Sequence, residues 1–574
     1  MINRDVARIF NEIAELLELK GENPFRIRAY QRAAQNIEVF PNDVATLLPE
    51  DLLKIPGIGK DLAMKIREYA DTGTIRSWEE LKAEFPEGIL DMMTVPGLGP
   101  KTAKLLYDEL KISNLEALEK YAREGKLKEL PHIKEKTEQN ILKGLEKLRK
   151  GRERNPIGEV LPLAEEIIEI MKKKAPVKEI SVAGSIRRWK ETIRDIDILV
   201  TSKNPDKVME VFTGLPMVSN VLAKGQTKSS VVLKQGIQVD VRVVKDSEYG
   251  AALVYFTGSK AHNIKIREIA VRKGMKVSEY GIFDEKTGKS LGGRNEGDIY
   301  RILGMDYIEP ELREDNGEVE AALGHSLPRL VTLEDMKGDL HVHSNWTDGK
   351  HAIAEIAAEA KKRGYEYIAI TDHTKGLGIT NGLTEERVLG QMKEIDSLNK
   401  KLKGFHVLKG IEVDIRSDGS LDMPDQILKK LDLVVASIHS GFTQTKEQIT
   451  GRITKAMKNP LVTIIAHPTG RLINEREAYD VDMEKVFTIA QKTGTVLEIN
   501  AHPARLDLND VHSREAKRLD ISIAISTDMH AVTNFDFMKY GVAVARRGWL
   551  EKRDIVNTGK YRELQRLLAR KKSR

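Results

Sequence analysis

In residues 337–530, seven apolar, strand-like segments each run into a histidine, a carboxylate or an asparagine. Lys337–Leu340 leads into His341-Val342-His343, and Tyr367–Ile370 into Asp372-His373. His406–Ile411 leads into Glu412, Leu433–Ile438 into His439, and Val462–Ile465 into His467. Val496–Ile499 leads into Asn500, and Ile521–Ile525 into Asp528 and His530. Helix-period stretches such as Ala352–Arg363 separate several of them. Strand alternating with helix predicts an α/β barrel, in which the C-terminal strand ends share one mouth. Histidines and carboxylates meeting there form a multinuclear metal site. The chain has no cysteine, so nitrogen and oxygen donors must supply every ligand. This pattern points to a metal-dependent hydrolase.

A chain of 574 residues is too long for one core and predicts several domains. No apolar run reaches the length of a membrane span and no signal-peptide pattern opens the chain, so a cytoplasmic protein without membrane contact is expected. The absence of cysteine fits a reducing compartment. The net charge of +6 is small for this length, so local patches decide partners.

Residues 1–150 read as short helices broken by Pro-Gly turns. Ile55-Pro-Gly-Ile-Gly59 precedes Lys60, and Val95-Pro-Gly-Leu-Gly99 precedes Pro100-Lys101. A degenerate third copy is Leu130-Pro-His-Ile-Lys134. Gly57, Gly59, Gly97 and Gly99 let the backbone turn tightly, with N–H groups facing an anion at a helix start. Lys60 and Lys101 add charge. Each turn resembles a helix-hairpin-helix motif, which grips nucleic-acid backbone without reading bases. A basic stripe follows at Lys147, Arg149, Lys150, Arg152 and Arg154.

In the middle third, Ser181-Val-Ala-Gly-Ser185 precedes Arg187-Arg188, and Asp195-Ile-Asp197 opens a strand. Two carboxylates at i and i+2 share one side of a strand and repel unless a divalent cation lies between them. Asp240 offers a third on another strand. Three carboxylates beside a Gly-Ser loop suit two Mg²⁺ ions and phosphoryl transfer, the signature of a nucleotidyltransferase.

With these motifs, residues 1–314 resemble the family X DNA polymerases, which are DNA polymerase beta-like. Gly184-Ser-Ile-Arg-Arg188 with Asp195-Ile-Asp197 is similar to the family's palm, as are Tyr255-Phe-Thr-Gly-Ser259, Asp298-Ile-Tyr300 and Tyr307-Ile-Glu-Pro310. The resemblance implies that Asp195, Asp197 and Asp240 bind two Mg²⁺ ions. It implies that Gly184, Ser185 and Arg188, helped by Arg154, hold the incoming triphosphate. Tyr255, Phe256 and Gly258 would pack beside the sugar, and Asn263 and Arg267 would reach the nascent pair. Lys260 departs from the acidic residue of relatives. Lys65 falls at the position of the family's lyase nucleophile, although Asp61 and Ser77 stand where relatives carry lysines.

The barrel resembles the PHP (polymerase and histidinol phosphatase) family. That likeness implies nine ligands for up to three Mn²⁺ or Zn²⁺ ions: His341, His343, Asp348, His373, Glu412, His439, His467, Asp528 and His530. Arg471 and Arg505 follow strand ends and are candidates for substrate phosphates.

The expected architecture is multidomain. All-α helix-hairpin-helix domains span 1–80 (lyase-like) and 81–154. An α+β nucleotidyltransferase palm spans 155–245 and a thumb 246–314. A flexible linker covers 315–336, and a distorted TIM-like PHP barrel covers 337–574. The resemblance implies a monomeric repair polymerase acting on gapped or nicked duplex DNA with dNTPs, whose PHP domain is a 3′–5′ exonuclease with AP endonuclease or 3′-phosphatase activity beside it. The alternative is a DNA-tethered phosphatase acting on a small phosphoester such as histidinol phosphate.

Overall fold

The computed structural model describes residues 3–38, 40, 44–55, 57–86, 88–93, 95, 98–131, 133–152, 154–376 and 380–572, with the side chains of 4, 38, 146–152 and 570–572 left out. Gly97 and the side chains of Lys147, Arg149, Lys150 and Arg152 therefore lie outside the described residues. The chain forms two compact units, residues 1–153 and 154–574.

The first unit is all helical. Its longer helices are Asn3–Lys20, Pro24–Glu38, Lys60–Thr72, Pro100–Leu110 and Glu135–Arg152. Apolar residues at helical spacing, among them Phe10, Ile37, Ile66, Leu106 and Ile141, bury one face of each in a shared core. Gly59 and Gly99 are the residues before Lys60–Thr72 and Pro100–Leu110, each with extended backbone.

In the second unit, the palm is a five-stranded sheet in the order Glu179–Val182, Asp195–Thr201, Gln238–Val244, Lys228–Leu233, Val218–Lys224. Along Asp195–Thr201 the side chains alternate. Ile196, Ile198 and Val200 enter the large core, while Leu199 packs on the other face against Ala183 and Leu253. That alternation puts Asp195 and Asp197 together on the second face. Parallel pairing with Gln238–Val244 sets Asp197 opposite Asp240.

The barrel carries a three-stranded parallel sheet (Gly338–Val342, Tyr367–Ile370, His406–Lys409) and a five-stranded one (Glu412–Asp414, Val435–Ser437, Ile464–Ile465, Val496–Asn500, Ile523–Ser526). Bridges at His373–Glu412 and Val342–Met529 join the two. The segment His406–Ile411, expected as one strand, stops at Lys409. Gly410 passes so close to its neighbour that an added Cβ would lie 2.7 Å from the Ile370 carbonyl oxygen. The fold class read from the sequence, helical modules followed by a mixed α/β region and a parallel-strand barrel, is the one observed.

Residues 315–336, expected as a linker, are folded against their neighbours. Glu318–Leu323 is a helix, and Glu318, Val319, Ala322, Leu330 and Val331 are buried. The Glu318 carboxylate accepts from the backbone N–H groups of Asp315 and Asn316 and lies 2.8 Å from His262 Nδ1. The Val331 N–H donates to the Leu550 carbonyl at 3.0 Å. The segment is acidic in sequence because its charges answer partners far along the chain.

Further ion pairs fix the palm and thumb to the barrel. Arg471 meets Glu191 at 2.8 Å, and Arg546 meets Glu311 at 2.7 Å. Within palm and thumb, Glu296 is clamped by Arg187 at 2.6 Å and by the fully buried Arg313 at 2.8 Å. Burial alone would raise the Glu296 carboxyl, but the two guanidiniums outweigh it and hold it down to about 2. A depressed carboxyl adds stability that is present above its ordinary value of 4.5 and is lost as pH falls through about 2. Glu296→Gln should therefore lower unfolding free energy by about 3 kcal/mol at neutral pH, read by urea denaturation. The gap from wild type should narrow steadily below pH 4.5; a gap independent of pH would rule out the charge as its source.

Candidate active sites

All nine candidate barrel ligands converge at one mouth. Glu412 is at its centre, 1% exposed along its side chain. Its oxygens lie 2.9 Å from His373 Nδ1, 3.4 Å from His341 Nε2, 3.4 Å from His439 Nε2 and 3.3 Å from His467 Nε2. His343 Nε2 is 3.1 Å from Asp528, and Asp348 is 3.5 Å from His373 and 3.4 Å from His530. The His343 ring stacks between those of His373 and His530, with centroids 4.4 and 4.3 Å away. Three sets have ligand atoms within 4.8 Å of one another: His343, Asp348, His373 and His530; His341, His343 and Asp528; His373, Glu412 and His439.

The electrostatics follow from burial. Desolvation opposes the Glu412 charge, yet His373, His341 and His439 outweigh it and hold the carboxyl well below the usual range. Burial together with His530 and His373 pushes His343 down to about 4, which leaves its imidazole neutral with a lone pair to donate. Burial and Arg505 do the same to His467. His341 Nε2, His343 Nδ1 and His467 Nδ1 are buried without a hydrogen-bond partner. Orphaned acceptors so close together are costly in a protein interior and are satisfied by cations. The residues present therefore fit a multinuclear metal centre.

Two residues that orient this centre were missed by the sequence reading. Glu498 accepts from His341 Nδ1 at 2.8 Å and from the His467 N–H at 2.8 Å. Asp414 accepts from His439 Nδ1 at 2.8 Å. The two bonds from ring Nδ1 atoms fix the tautomers that aim Nε2 of His341 and His439 at the site, while the backbone N–H of His467 only anchors Glu498. The signal was available: Glu498 is two residues before Asn500, and Asp414 two residues after Glu412, on the same side of a strand. Asp372, by contrast, is tied to Ser344, Thr347 and Gln391 and braces the turn that carries Asp348. Arg471 is engaged with Glu191 and with the carbonyls of Arg505 and Leu506. Arg505 stays at the mouth, 3.8 Å from Asp528.

In the palm, Asp195, Asp197 and Asp240 share one sheet face. Burial, then Asp195 and Asp240, push the Asp197 carboxyl up to about 6 against the opposing pull of Arg242 and Lys228. Ser230 Oγ donates to Asp240, and Gln238 Nε2 reaches it at 3.3 Å. Gly184 has φ +62°, and a Cβ there would lie 2.5 Å from Asp197 Oδ2. Only glycine lets this turn approach the carboxylates. Ser185, Arg188 and Arg154 line one cavity. Arg188 donates to the Thr257 carbonyl and to Glu314, and Arg154 donates to Thr192. Tyr255 and Phe256 meet edge to face at 5.1 Å, and Gly258 lies beside Arg188. Asn263 caps this turn by donating to the Tyr255 carbonyl at 2.7 Å, and Arg267 bonds back to the Asn263 carbonyl.

In the first unit, a Cβ added at Gly59 or Gly99 would meet nothing within 4 Å. Their backbone angles suit any residue, and the surface beside them is open. Lys60 and Lys101 are exposed at the starts of the two following helices. Lys65 is paired with Asp61 at 2.5 Å.

Comparison with known proteins agrees with this layout. Family models match as a helix-hairpin-helix domain at residues 1–75, a SAM-like helix-hairpin-helix tandem at 89–147, a DNA polymerase beta thumb at 252–314 and a PHP domain at 339–502. The chain is 40% identical over 572 residues to the DNA polymerase/3′-5′ exonuclease PolX of Bacillus subtilis (strain 168), covering 99% of this chain and 100% of that protein. The chain belongs to the family X DNA polymerases with a PHP domain. A protein named as a probable phosphatase in Thermoanaerobacter sp. (strain X514) is 32% identical over 243 residues, 40% of this chain and 94% of that protein. Another so named in Acetivibrio thermocellus is 31% identical over 206 residues, 34% of this chain and 80% of that protein. Among the described residues no helix is long and apolar enough to cross a membrane.

Removing an orienting carboxylate should weaken the metal centre without deleting a ligand. Glu498→Gln or Asp414→Asn should lower metal affinity about 10- to 100-fold, read by elemental analysis after graded chelation. Retention of metal equal to wild type would relegate both residues to packing.

Proposed function

We propose that this family X polymerase fills short gaps in duplex DNA at its palm and removes 3′-terminal nucleotides at its barrel mouth. The reading is supported by a carboxylate cluster in the palm and a histidine–carboxylate cluster in the barrel of one chain that is similar from end to end to a polymerase/exonuclease. Two Mg²⁺ ions held by Asp195, Asp197 and Asp240 would supply positive charge to the phosphoryl group in transfer. The palm's own part is to hold three carboxylates on one sheet face, with Asp197 opposite Asp240 and Asp240 assigned to the primer 3′-hydroxyl. Ser185, Arg188 and Arg154 hold the triphosphate of a dNTP, while Tyr255, Phe256 and Gly258 flank its sugar and Asn263 and Arg267 approach the nascent pair.

At the barrel, up to three Mn²⁺ or Zn²⁺ ions held by the nine ligands would supply Lewis acidity toward a phosphodiester. Arg505 receives the phosphate, with AP endonuclease or 3′-phosphatase activity as side reactions of one site. A phosphatase confined to small phosphoesters is less well supported, because the phosphatase-named relatives match only about the barrel's share of the chain. The functional form is a cytoplasmic monomer on gapped or nicked duplex. Lyase activity at Lys65 requires the Asp61 pair to open first, since a Schiff base forms through a free amine.

The two activities should separate by mutation. Asp197→Ala should lower gap filling at least about a hundredfold while 3′ trimming persists. His341→Ala or Asp528→Ala should abolish trimming and spare extension. One assay on a labelled gapped duplex, with or without dNTPs and with Mg²⁺ or Mn²⁺, reads both. Loss of both activities in either variant would defeat the two-site assignment.

Backbone recognition by the helix-hairpin-helix turns predicts a salt signature. Exchanging Lys60 and Lys101 for Glu should weaken binding alike on unrelated sequences. It should also flatten the dependence of log Kd on log salt, by about one unit of slope for each phosphate no longer gripped. Fluorescence anisotropy at graded salt measures this, and a weakening confined to one sequence would point to base reading instead.

A further inference from the structure

Palm and barrel enclose a cavity of about 400 Å³. Arg154, Ser185, Arg188 and Lys190 line it from the palm, and Asp510 and Arg547 line it from the barrel. The proposed triphosphate residues thus face side chains of the other catalytic domain.

Arg547 is the last residue of the helix Met538–Arg547, and its side chain is 6% exposed. It reaches Asp510 at 2.7 Å within its own domain. Its Nη1 donates across the junction to the Arg188 carbonyl at 2.8 Å and to Glu314 at 3.0 Å. Glu314 Oε1 also accepts from Arg188 Nε at 3.1 Å, so the two arginines share one carboxylate oxygen. Burial opposes the Glu314 charge, but Arg188, Arg547 and Lys190 hold it in the anionic form.

This geometry gives Arg547 two effects on Arg188. It anchors the main chain of the turn that presents Ser185 and Arg188. It also supplies a second cation to Glu314. Without it, Arg188 would have to neutralise the carboxylate with only the more distant Lys190, 4.0 Å away, to help, and that carboxylate would compete with a phosphate for the same guanidinium. We propose that Arg547, from the PHP domain, is a positioning residue of the polymerase site that sets Arg188 for the polyphosphate tail of the incoming nucleotide. The proposal rests on the reading of Ser185 and Arg188 as that tail's seat.

The test uses the full chain and gap filling with a single dNTP in Mg²⁺. Arg547→Ala should raise the dNTP KM about tenfold, the scale of one charge-assisted hydrogen bond, with a smaller change in kcat. Arg547→Lys should restore it in part, because it returns a cation to Glu314 but loses the forked grip. Adding Glu314→Gln to Arg547→Ala should bring KM back toward wild type by removing the competing carboxylate. A loosened junction with no effect on Arg188 would not respond to that second change. Exonuclease rates of the same preparations report an intact barrel. A KM for Arg547→Ala within about twofold of wild type, or one that Glu314→Gln leaves raised, overturns the proposal. If Arg547→Ala fails to fold, Arg547→Lys decides in its place: a raised KM that Glu314→Gln restores supports the role, and an unchanged KM overturns it. Arg188→Ala separates the two levels. If it leaves KM unchanged, the nucleotide-site reading falls and takes the proposal with it; if it alone raises KM, only the role of Arg547 falls.

Discussion

Glu412 is a carboxylate buried at the centre of the barrel, with four imidazoles within 3.4 Å of its oxygens. Taking such a group out of water costs several kcal/mol unless opposite charge and hydrogen bonds offset it. The barrel is built to deliver that offset. Successive parallel strands bring their C-terminal ends to one mouth, and the interruption at Gly410 starts a new strand at Glu412 itself. Burial pushes the His343 imidazole down to about 4, and its Nδ1 is buried without a hydrogen-bond partner, which suits a cation there. The same constraint reappears at Glu296 between two guanidiniums and at Glu314 between Arg188 and Arg547. Each buried carboxylate ties together segments that are distant in sequence. Compensation of buried charge therefore decides which parts of residues 154–574 must move as one.

What could be read from the sequence follows the range of the interaction. Histidines at strand ends and the pair Asp195 and Asp197 are local patterns, written within a few residues of a strand of period two, so both sites were visible. Glu498 and Asp414 obey the same period but carry no motif of their own, and only the bonds to His341 and His439 reveal their work. The packing of residues 315–336 was hidden for the opposite reason. Their acidic run resembles a solvated linker, yet Glu318 is buried beside His262 and Val331 pairs with Leu550. Nothing within a sequence window can show a partner more than 200 residues away. Arg471 and Arg547 make the same point. Arg471 stands in sequence as a candidate for a substrate phosphate and Arg547 belongs to no motif, and their contacts lie with Glu191, Glu314 and the Arg188 carbonyl.

The folded junction changes how two active sites in one chain can cooperate. A flexible tether raises the local concentration of one site near the other and leaves their geometry free. Here residues 315–336 are packed between the thumb and the barrel, and their burial of Val319 and Val331 resists stretching. Swinging the barrel away from the palm would break the Arg471–Glu191, Arg546–Glu311 and Arg547–Glu314 pairs at once. It would also leave Glu311 and Glu314 short of the charges that offset their burial, and unpaired buried charge is the costliest outcome of such a motion. These contacts therefore oppose separation of palm and barrel, and transfer of a primer end from synthesis to trimming is easier by movement of the DNA than by movement of the domains.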